Sequence, residues 1–479
     1  MLTFDLNRQA KLSLYRQIAE QIKTQISDGR LPANARLPTV RKLATQLGVT
    51  RLTIQNAYGE LQADGWVEAV VGRGTFVSNS VQPHAIMDTV GHRLTPDGVI
   101  DDILQLDKVI GVRSMALAHP DDSLFPADEF WDGLSGLRHQ AINLMSYGSI
   151  QGDPQLRVVV ADLLQDEGIT SVPEQIMITA GAMQGIALVT QALTQPGDSV
   201  LVDAPTFLGT LNVLRAQGLK CVGVPLDKAG PCLDTLERLI QQHRPRYYYA
   251  IPNYHNPTGI CMSLARRREL LRLAQKYDLL LLEDDIYGTL YYDSPPPPTL
   301  KALDTDERVI YLNSFSKALM PGLRTGYLIS NNEGLRQKLL KLRRATDLGS
   351  PAFVQRATAV FLQNGGLKRH LRRVRPVYRQ RRDTLMQMLQ THMPHTVQWS
   401  YPLGGYSCWV TMPQTFATGE FYRIALQNGF AFTPGDAYLP LNETEEYFRL
   451  CFGKQSTAAI RAGVKLLAQI IRAKGDYSR

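Results

Sequence analysis

Three stretches of this sequence each follow a short apolar run, and each carries side chains with chemistry to offer. "NYHNPTG" after "YYYAI" holds Asn256, "EDDIY" after "LLLL" holds Asp284 and Tyr287, and "NSFSKALMPGLRTGYL" after "RVIYL" holds Ser314, Ser316, Lys317 and Arg324. Taken singly, each is bland. A lone lysine is most often solvated at a surface, an aspartate before a tyrosine is often only a turn, and "NPTG" is a common turn composition. Together they assemble an amine, a carboxylate, a phenol, an amide, two hydroxyls and a guanidinium. In open parallel sheets the ligand crevice lies beyond the carboxyl ends of the strands, so loops that each follow a strand converge. The set suits a phosphorylated aromatic aldehyde: the lysine forms a Schiff base, the carboxylate keeps a ring nitrogen protonated, and hydroxyls with the arginine bind the phosphate.

The elements that must position these residues begin near residue 113. Short apolar runs ("QIMIT", "SVLVD", "RYYYAI", "LLLLED", "RVIYLN", "GYLIS") alternate with helical segments at 181–194, 208–217 and 264–277. Such alternation predicts an α/β unit with a mainly parallel sheet covered by helices. A basic helical tract, "LKRHLRRVRPVYRQRRDTLMQML", leads into a smaller α/β segment over residues 406–472.

Residues 1–78 have a different texture. Helical spacing recurs in "LYRQIAEQIKTQI", "TVRKLATQL" and "TRLTIQNAYGELQADG", with Thr39 and Thr50 as N-caps, and "WVEAVVGRGTFVS" reads as a β-ribbon turning at Gly-Arg-Gly. Thr50, Arg51, Thr53 and Gln55 fall near the amino end of the helix after the "LGV" turn, where side chains can meet phosphates or base edges. Arg41 starts the preceding helix, and Arg73 lies between Gly72 and Gly74 at the ribbon tip. Ten Lys/Arg against six Asp/Glu make this unit mildly basic, which equally suits a helical interaction domain with a solvated face. Residues 79–112 read as a linker with one helix around 101–109, giving domains 1–78, 79–112 and 113–479.

Composition narrows the class. At 44% hydrophobic and 20% charged, the chain has ample core. No apolar run nears the roughly 18 residues of a membrane span, and the start lacks a secretory signal pattern. Five scattered cysteines without metal spacing fit reduced thiols in a cytoplasm, with no metal site. A net charge of +8 permits a polyanionic partner.

The stretch "LPTVRKLATQLGVTRLTIQNAYGELQADGWVEAVVGRGTFV" resembles the winged helix-turn-helix of GntR-family transcription regulators along its whole length. That resemblance implies operator contacts at Arg41, Thr50, Arg51, Thr53 and Gly74, with Leu52 and Gln55 at recognition-helix positions that vary. Residues 113–470 resemble the fold-type I aminotransferases, which implies pyridoxal 5'-phosphate as cofactor. By position, Lys317 matches the cofactor lysine, Asp284 the partner of the pyridine nitrogen, and Asn256 and Tyr287 the partners of the ring hydroxyl. Phe207 in "APTF" matches the aromatic that stacks on the ring. Ser314, Ser316 and Arg324 match the phosphate cradle, completed by backbone N–H groups of Ala182 and Met183 in "GAMQG". Many relatives carry serine at the position of Ala182, so one phosphate hydrogen bond is absent here. Tyr147 matches a tyrosine that reaches the phosphate of the neighbouring subunit, and Arg449 the arginine that pairs with a substrate carboxylate.

A GntR-type head on such a body resembles the MocR/GabR subfamily. The resemblance implies a cytoplasmic, head-to-tail homodimer that binds operator DNA and senses an amino-acid or amine effector, or pyridoxal phosphate itself, through an aldimine at Lys317. The competing expectation is a working aminotransferase with a DNA-binding head.

Overall fold

The computed structural model describes residues 4–78 and 112–474, apart from residues 9, 11, 28–29, 64–65, 71–72, 414–417 and 441–445. The helix expected around 101–109 and most of the expected linker lie outside the described residues. Contacts divide the chain into two compact units, the larger running over Met115–Phe421 and Phe432–Arg479.

In the head, α1 (Leu14–Ser27), α2 (Val40–Leu47) and α3 (Arg51–Ala63) are followed by β1 (Val67–Val70) and β2 (Gly74–Val77). Local chemistry sets the boundaries. Thr39 Oγ1 accepts from the Lys42 N–H at 3.3 Å and so starts α2, and Gly48 ends it in the left-handed conformation at φ 61°. Thr50 Oγ1 accepts from the Thr53 N–H at 3.2 Å and starts α3. Ile18 and Ile22 on α1 meet Leu43, Ile54, Ala57 and Leu61, with Val67 and Val77 closing the cluster. Each fully buried Ile or Leu contributes roughly 1.5–3 kcal/mol, enough for a unit of this size to cohere. The ribbon is antiparallel, pairing Val67 with Val77 and Val70 with Gly74.

The body is built on an eight-stranded sheet. Its strands are β3 (Ile176–Thr179), β4 (Ser199–Ala204), β5 (Lys220–Asp227), β6 (Gly230–Pro231), β7 (Tyr247–Ala250), β8 (Leu280–Asp284), β9 (Val309–Ser314) and β10 (Gly326–Ile329). They lie in the order β3-β10-β9-β8-β7-β4-β5-β6, and the inner run from β9 to β5 is parallel throughout. Strands β10 and β6 run antiparallel to their neighbours. The apolar runs are buried on both faces, which is why they are continuous rather than alternating. Helix α4 (Ala182–Leu193) opens after β3, close to the boundaries expected from its spacing.

A smaller antiparallel sheet follows, in the order β11 (Gln398–Trp399), β12 (Ser407–Thr411), β14 (Tyr447–Cys451), β13 (Thr433–Pro434). The basic tract forms the long helix α5 (Gly366–His392), which packs along α6 (Thr457–Lys474). Leu371, Val374, Leu385 and Leu389 give α5 its buried side, while the arginines Arg369 and Arg379 stay exposed on ion pairs. Among the described residues, no helix is long and apolar enough to cross a membrane.

Candidate functional site

The loops after β3, β4, β7, β8 and β9 gather on one side of the sheet, because those strands share one direction. Strand β9 ends at Ser314, whose hydroxyl accepts from the Ser316 N–H at 3.2 Å and thereby starts the single-turn helix Phe315–Ala318. Lys317 rides on that turn. Its amine donates to the Ala118 carbonyl at 2.7 Å. Burial first, then the nearby guanidinium of Arg449 and more weakly that of Arg324, lower its pKa to about 8.

Asp284 is the last residue of β8 and is buried. The Tyr249 hydroxyl on β7 donates to its Oδ2 at 2.7 Å, and the Ile286 N–H donates to Oδ1 at 3.2 Å. Burial raises the Asp284 pKa to about 6, against the pull of these two donors. Asp285 points to the opposite face, as strand alternation requires, and accepts from Asn253 Nδ2 at 2.7 Å and the Tyr311 hydroxyl at 2.8 Å. Tyr287 is buried with its hydroxyl lacking a hydrogen-bond partner among the described residues.

Arg449, on β14, is buried at the rim of the same region. Nη1 donates to Asn256 Oδ1 at 2.7 Å, and Nη2 donates to the Ala116 carbonyl at 2.5 Å and to Thr433 Oγ1 at 3.2 Å. Its guanidinium lies 5.0 Å from the centre of the Tyr438 ring. With Oδ1 engaged, Asn256 retains its Nδ2 as a donor.

At the amino end of α4, Gly181 adopts φ 94°, and a Cβ there would stand 2.9 Å from Arg324 Nη2. Arg324, itself at φ 44°, donates to the Ala180 carbonyl at 2.9 Å. Ala182 and Met183 open α4, so their N–H groups lack intrahelical acceptors and face the end of the helix where anions are favoured. Phe207 packs partly buried beside Met183 in the core, and Gly209 makes room for both, since a Cβ there would lie 2.6 Å from the Phe207 ring.

These residues fit the expected phosphorylated aromatic aldehyde. A half-buried, low-pKa amine, a buried carboxylate and a phenol without a partner among the described residues are the groups that could hold its ring. A glycine-shaped cradle with a guanidinium and a helix amino terminus are the groups that could hold its phosphate.

Several contributors were not evident from the motifs. Tyr249 was hidden in "YYYA", although three consecutive phenols on a central strand each need a partner, and they find Thr190, Asp203 and Asp284. His255, next to Asn256 in the chain, is buried, with Nε2 3.4 Å from Asp203 Oδ2 and Nδ1 2.8 Å from Thr258 Oγ1. The segment 115–118 has no motif at all, yet its carbonyls hold both Lys317 and Arg449. Tyr147 is 92% exposed and stands apart from these groups.

In the head, Arg41, Thr50, Arg51, Gln55 and Arg73 are exposed. Thr50 and Thr53 hydrogen-bond each other through their hydroxyls at 2.8 Å, so both also serve the start of α3. Gly74 adopts φ 118°, and a Cβ there would stand 3.2 Å from the Arg36 guanidinium, so the ribbon turn needs glycine.

Two family descriptions match this chain: "Aminotransferase class I and II" over residues 127–466 and "Bacterial regulatory proteins, gntR family" over residues 14–77. The chain is 30% identical to the HTH-type transcriptional regulator YdfD of Bacillus subtilis, across 96% of this chain and 97% of that protein. It is 27% identical to the probable rhizopine catabolism regulatory protein MocR of Rhizobium meliloti, across 90% and 88%. Among solved structures, LysN, the alpha-aminoadipate aminotransferase of Thermus thermophilus complexed with N-(5'-phosphopyridoxyl)-L-leucine, superposes with a TM-score of 0.73 at 30% identity. That match covers 81% of this chain and 97% of LysN.

Proposed function

This chain belongs to the class I and II aminotransferase family and carries a GntR-family head, and from that premise we propose how a pyridoxal-phosphate-dependent transcription regulator of this build works. The observation that carries the reading is the presence in one chain of a winged helix whose Arg41, Arg51 and Arg73 are exposed without a carboxylate partner among the described residues, and a body whose amine, carboxylate and guanidinium converge. We assign the head to operator DNA, through Arg41, Thr50, Arg51, Thr53, Gln55, Arg73 and Gly74, and the body to an amino compound bearing a carboxylate. We place the protein in the cytoplasm.

Pyridoxal phosphate, when bound, supplies an aldehyde for Lys317 and a ring nitrogen for Asp284. The chain's own residues do the rest. Lys317 offers an amine already shifted toward neutrality, and Asp284, anionic above about pH 6, would hold a proton on the ring nitrogen. Tyr287 and the Nδ2 of Asn256 would donate to the ring oxygen, and Phe207 would pack against the ring. The N–H groups of Ala182 and Met183 would bind the phosphate together with Ser314, Ser316 and Arg324. Arg449 takes the ligand's carboxylate through its fork. To do so it must exchange partners, because Nη2 is held by the Ala116 carbonyl. Segment 115–118 lies directly after residues 112–114, and we infer that its release or capture biases the head's arrangement.

The body also carries an exposed apolar face. Ile142, Met145 and Tyr147 on one segment, with Leu348 and Phe353 on another, are exposed. Clefts of about 260 and 270 Å³ between residues 143–154 and 348–356 join the two segments. We propose a second copy as its occupant, with Tyr147 reaching the copy's phosphate site, in a head-to-tail homodimer.

The complete lysine, aspartate and arginine set also suits net amino transfer, so the test has two arms. Amino acids are titrated into one sample while the visible absorption of the cofactor and operator affinity are both followed, and turnover with a keto acid is measured. A spectral change coupled to altered operator affinity with slow turnover is expected. Fast turnover with operator affinity indifferent to every amino acid and to pyridoxal phosphate would overturn the regulatory reading.

A further inference from the structure

Helix α3 has two unlike faces. Ile54, Ala57, Tyr58 and Leu61 are buried in the head's core, and Leu52, Gln55, Asn56 and Gly59 are exposed on the opposite side. Their spacing of three, four and seven residues places the exposed four on one stripe. Leu52 is 64% exposed, a branched apolar side chain in open water at the start of the helix. The side-chain amides of Gln55 and Asn56 have no hydrogen-bond partner among the described residues. Gly59 has nothing within 4 Å of the place a Cβ would take. No packing inside the head therefore accounts for glycine there, although it costs about 1 kcal/mol relative to alanine in a helix interior. The stripe itself is uncharged. Around it Arg41, Lys42, Arg51 and Arg73 are exposed, without a carboxylate partner among the described residues.

We propose that this stripe reads A·T base pairs in the major groove of the operator half-site. An amide can both donate to and accept from adenine at N7 and N6, and an apolar side chain packs on the thymine methyl group. The usual guanine contact comes from arginine or lysine, and the stripe has neither. The flanking cations meet phosphates, which gives affinity and register without sequence information. Gly59 allows the groove wall to approach the helix backbone. The inference rests on the assignment of the head to DNA made above.

Duplexes selected by the 479-residue chain from a random-sequence library provide the probe. The enriched duplex is remade with deoxyuridine replacing each half-site thymine in turn, and with 7-deazaadenine replacing each adenine. For one thymine, loss of the methyl group weakens the wild type about fourfold, the worth of one methyl removed from water. Leu52→Ala binds the thymine and deoxyuridine duplexes equally. For a neighbouring adenine, loss of N7 weakens the wild type roughly tenfold, and Gln55→Ala or Asn56→Ala abolishes that difference. If no thymine methyl matters, or if Leu52→Ala keeps the full discrimination, the assignment is overturned while DNA binding by the head stands. If no sequence is enriched and duplex binding is independent of salt, the DNA-binding reading falls and takes this inference with it.

Discussion

At the scale of single residues, the site turns on protonation. Lys317 has a pKa of about 8, lowered chiefly by burial, so roughly a tenth of its amine is neutral at pH 7 and half near pH 8. Attachment of pyridoxal phosphate should accelerate about tenfold per pH unit up to about 8 and then level off, as stopped-flow absorption would record. Lys317→Ala should abolish attachment, and peptide mapping after borohydride should find no other lysine labelled in the wild type. The Tyr249 hydroxyl donates to the charged form of Asp284 and so lowers its pKa. Tyr249→Phe therefore raises it, and the acidic limb of cofactor affinity should move up by about one pH unit. An unmoved limb would mean that Tyr249 packs without steering the carboxylate. Arg449 is held by three acceptors, so deletion would leave buried groups unpaired. Arg449→Lys is the cleaner test. It keeps the charge, loses the fork, and should weaken the amino-acid response roughly tenfold or more while leaving cofactor attachment intact.

At the scale of elements, short caps hold the functional ends in place. Thr50 caps α3 and simultaneously ties down Thr53, so the start of the helix we assign to DNA depends on one hydroxyl. Thr50→Ala should cost the head about 1 kcal/mol, readable as an earlier melting transition, together with reduced operator affinity. Ser314 does the equivalent work for the turn that carries Lys317, where it also donates to the Thr325 carbonyl at 3.2 Å. In both places a strand or turn delivers the chain, and a hydroxyl sets the direction in which the next side chains leave it.

At the scale of the whole molecule, head and body serve different ligands, and their perturbations should separate. Arg41→Ala and Arg51→Ala should leave the cofactor spectrum unchanged. Each should lower the slope of log affinity against log salt by about 0.9, the signature of a lost phosphate contact. Full-strength binding in both variants would contradict the assignment of these arginines to DNA. Ile142→Asp places a charge in the centre of the exposed apolar face and should shift the protein toward monomer in sedimentation, provided that face seats a second copy.

Much of this was written locally in the chain. The caps at Thr39 and Thr50, the glycine at the ribbon turn and the buried strand runs depend on neighbours within a few positions, so spacing alone reveals them. Lys317, Asp284 and Asn256 stood out for a similar reason: each lies at or beyond the carboxyl end of a strand of the parallel run, where side chains converge. Other features depend on which strands are neighbours in space. Tyr249 reaches Asp284 across 35 positions, Lys317 reaches Ala118 across 199, and Arg449 reaches Ala116 across 333. No local pattern encodes such pairings, because they follow from strand order and from the smaller sheet bringing β14 to the rim of the site. Asp284 was named from the resemblance, whereas the partners of the adjacent Asp285, Asn253 and Tyr311, lie 32 and 26 positions away and came only with the fold.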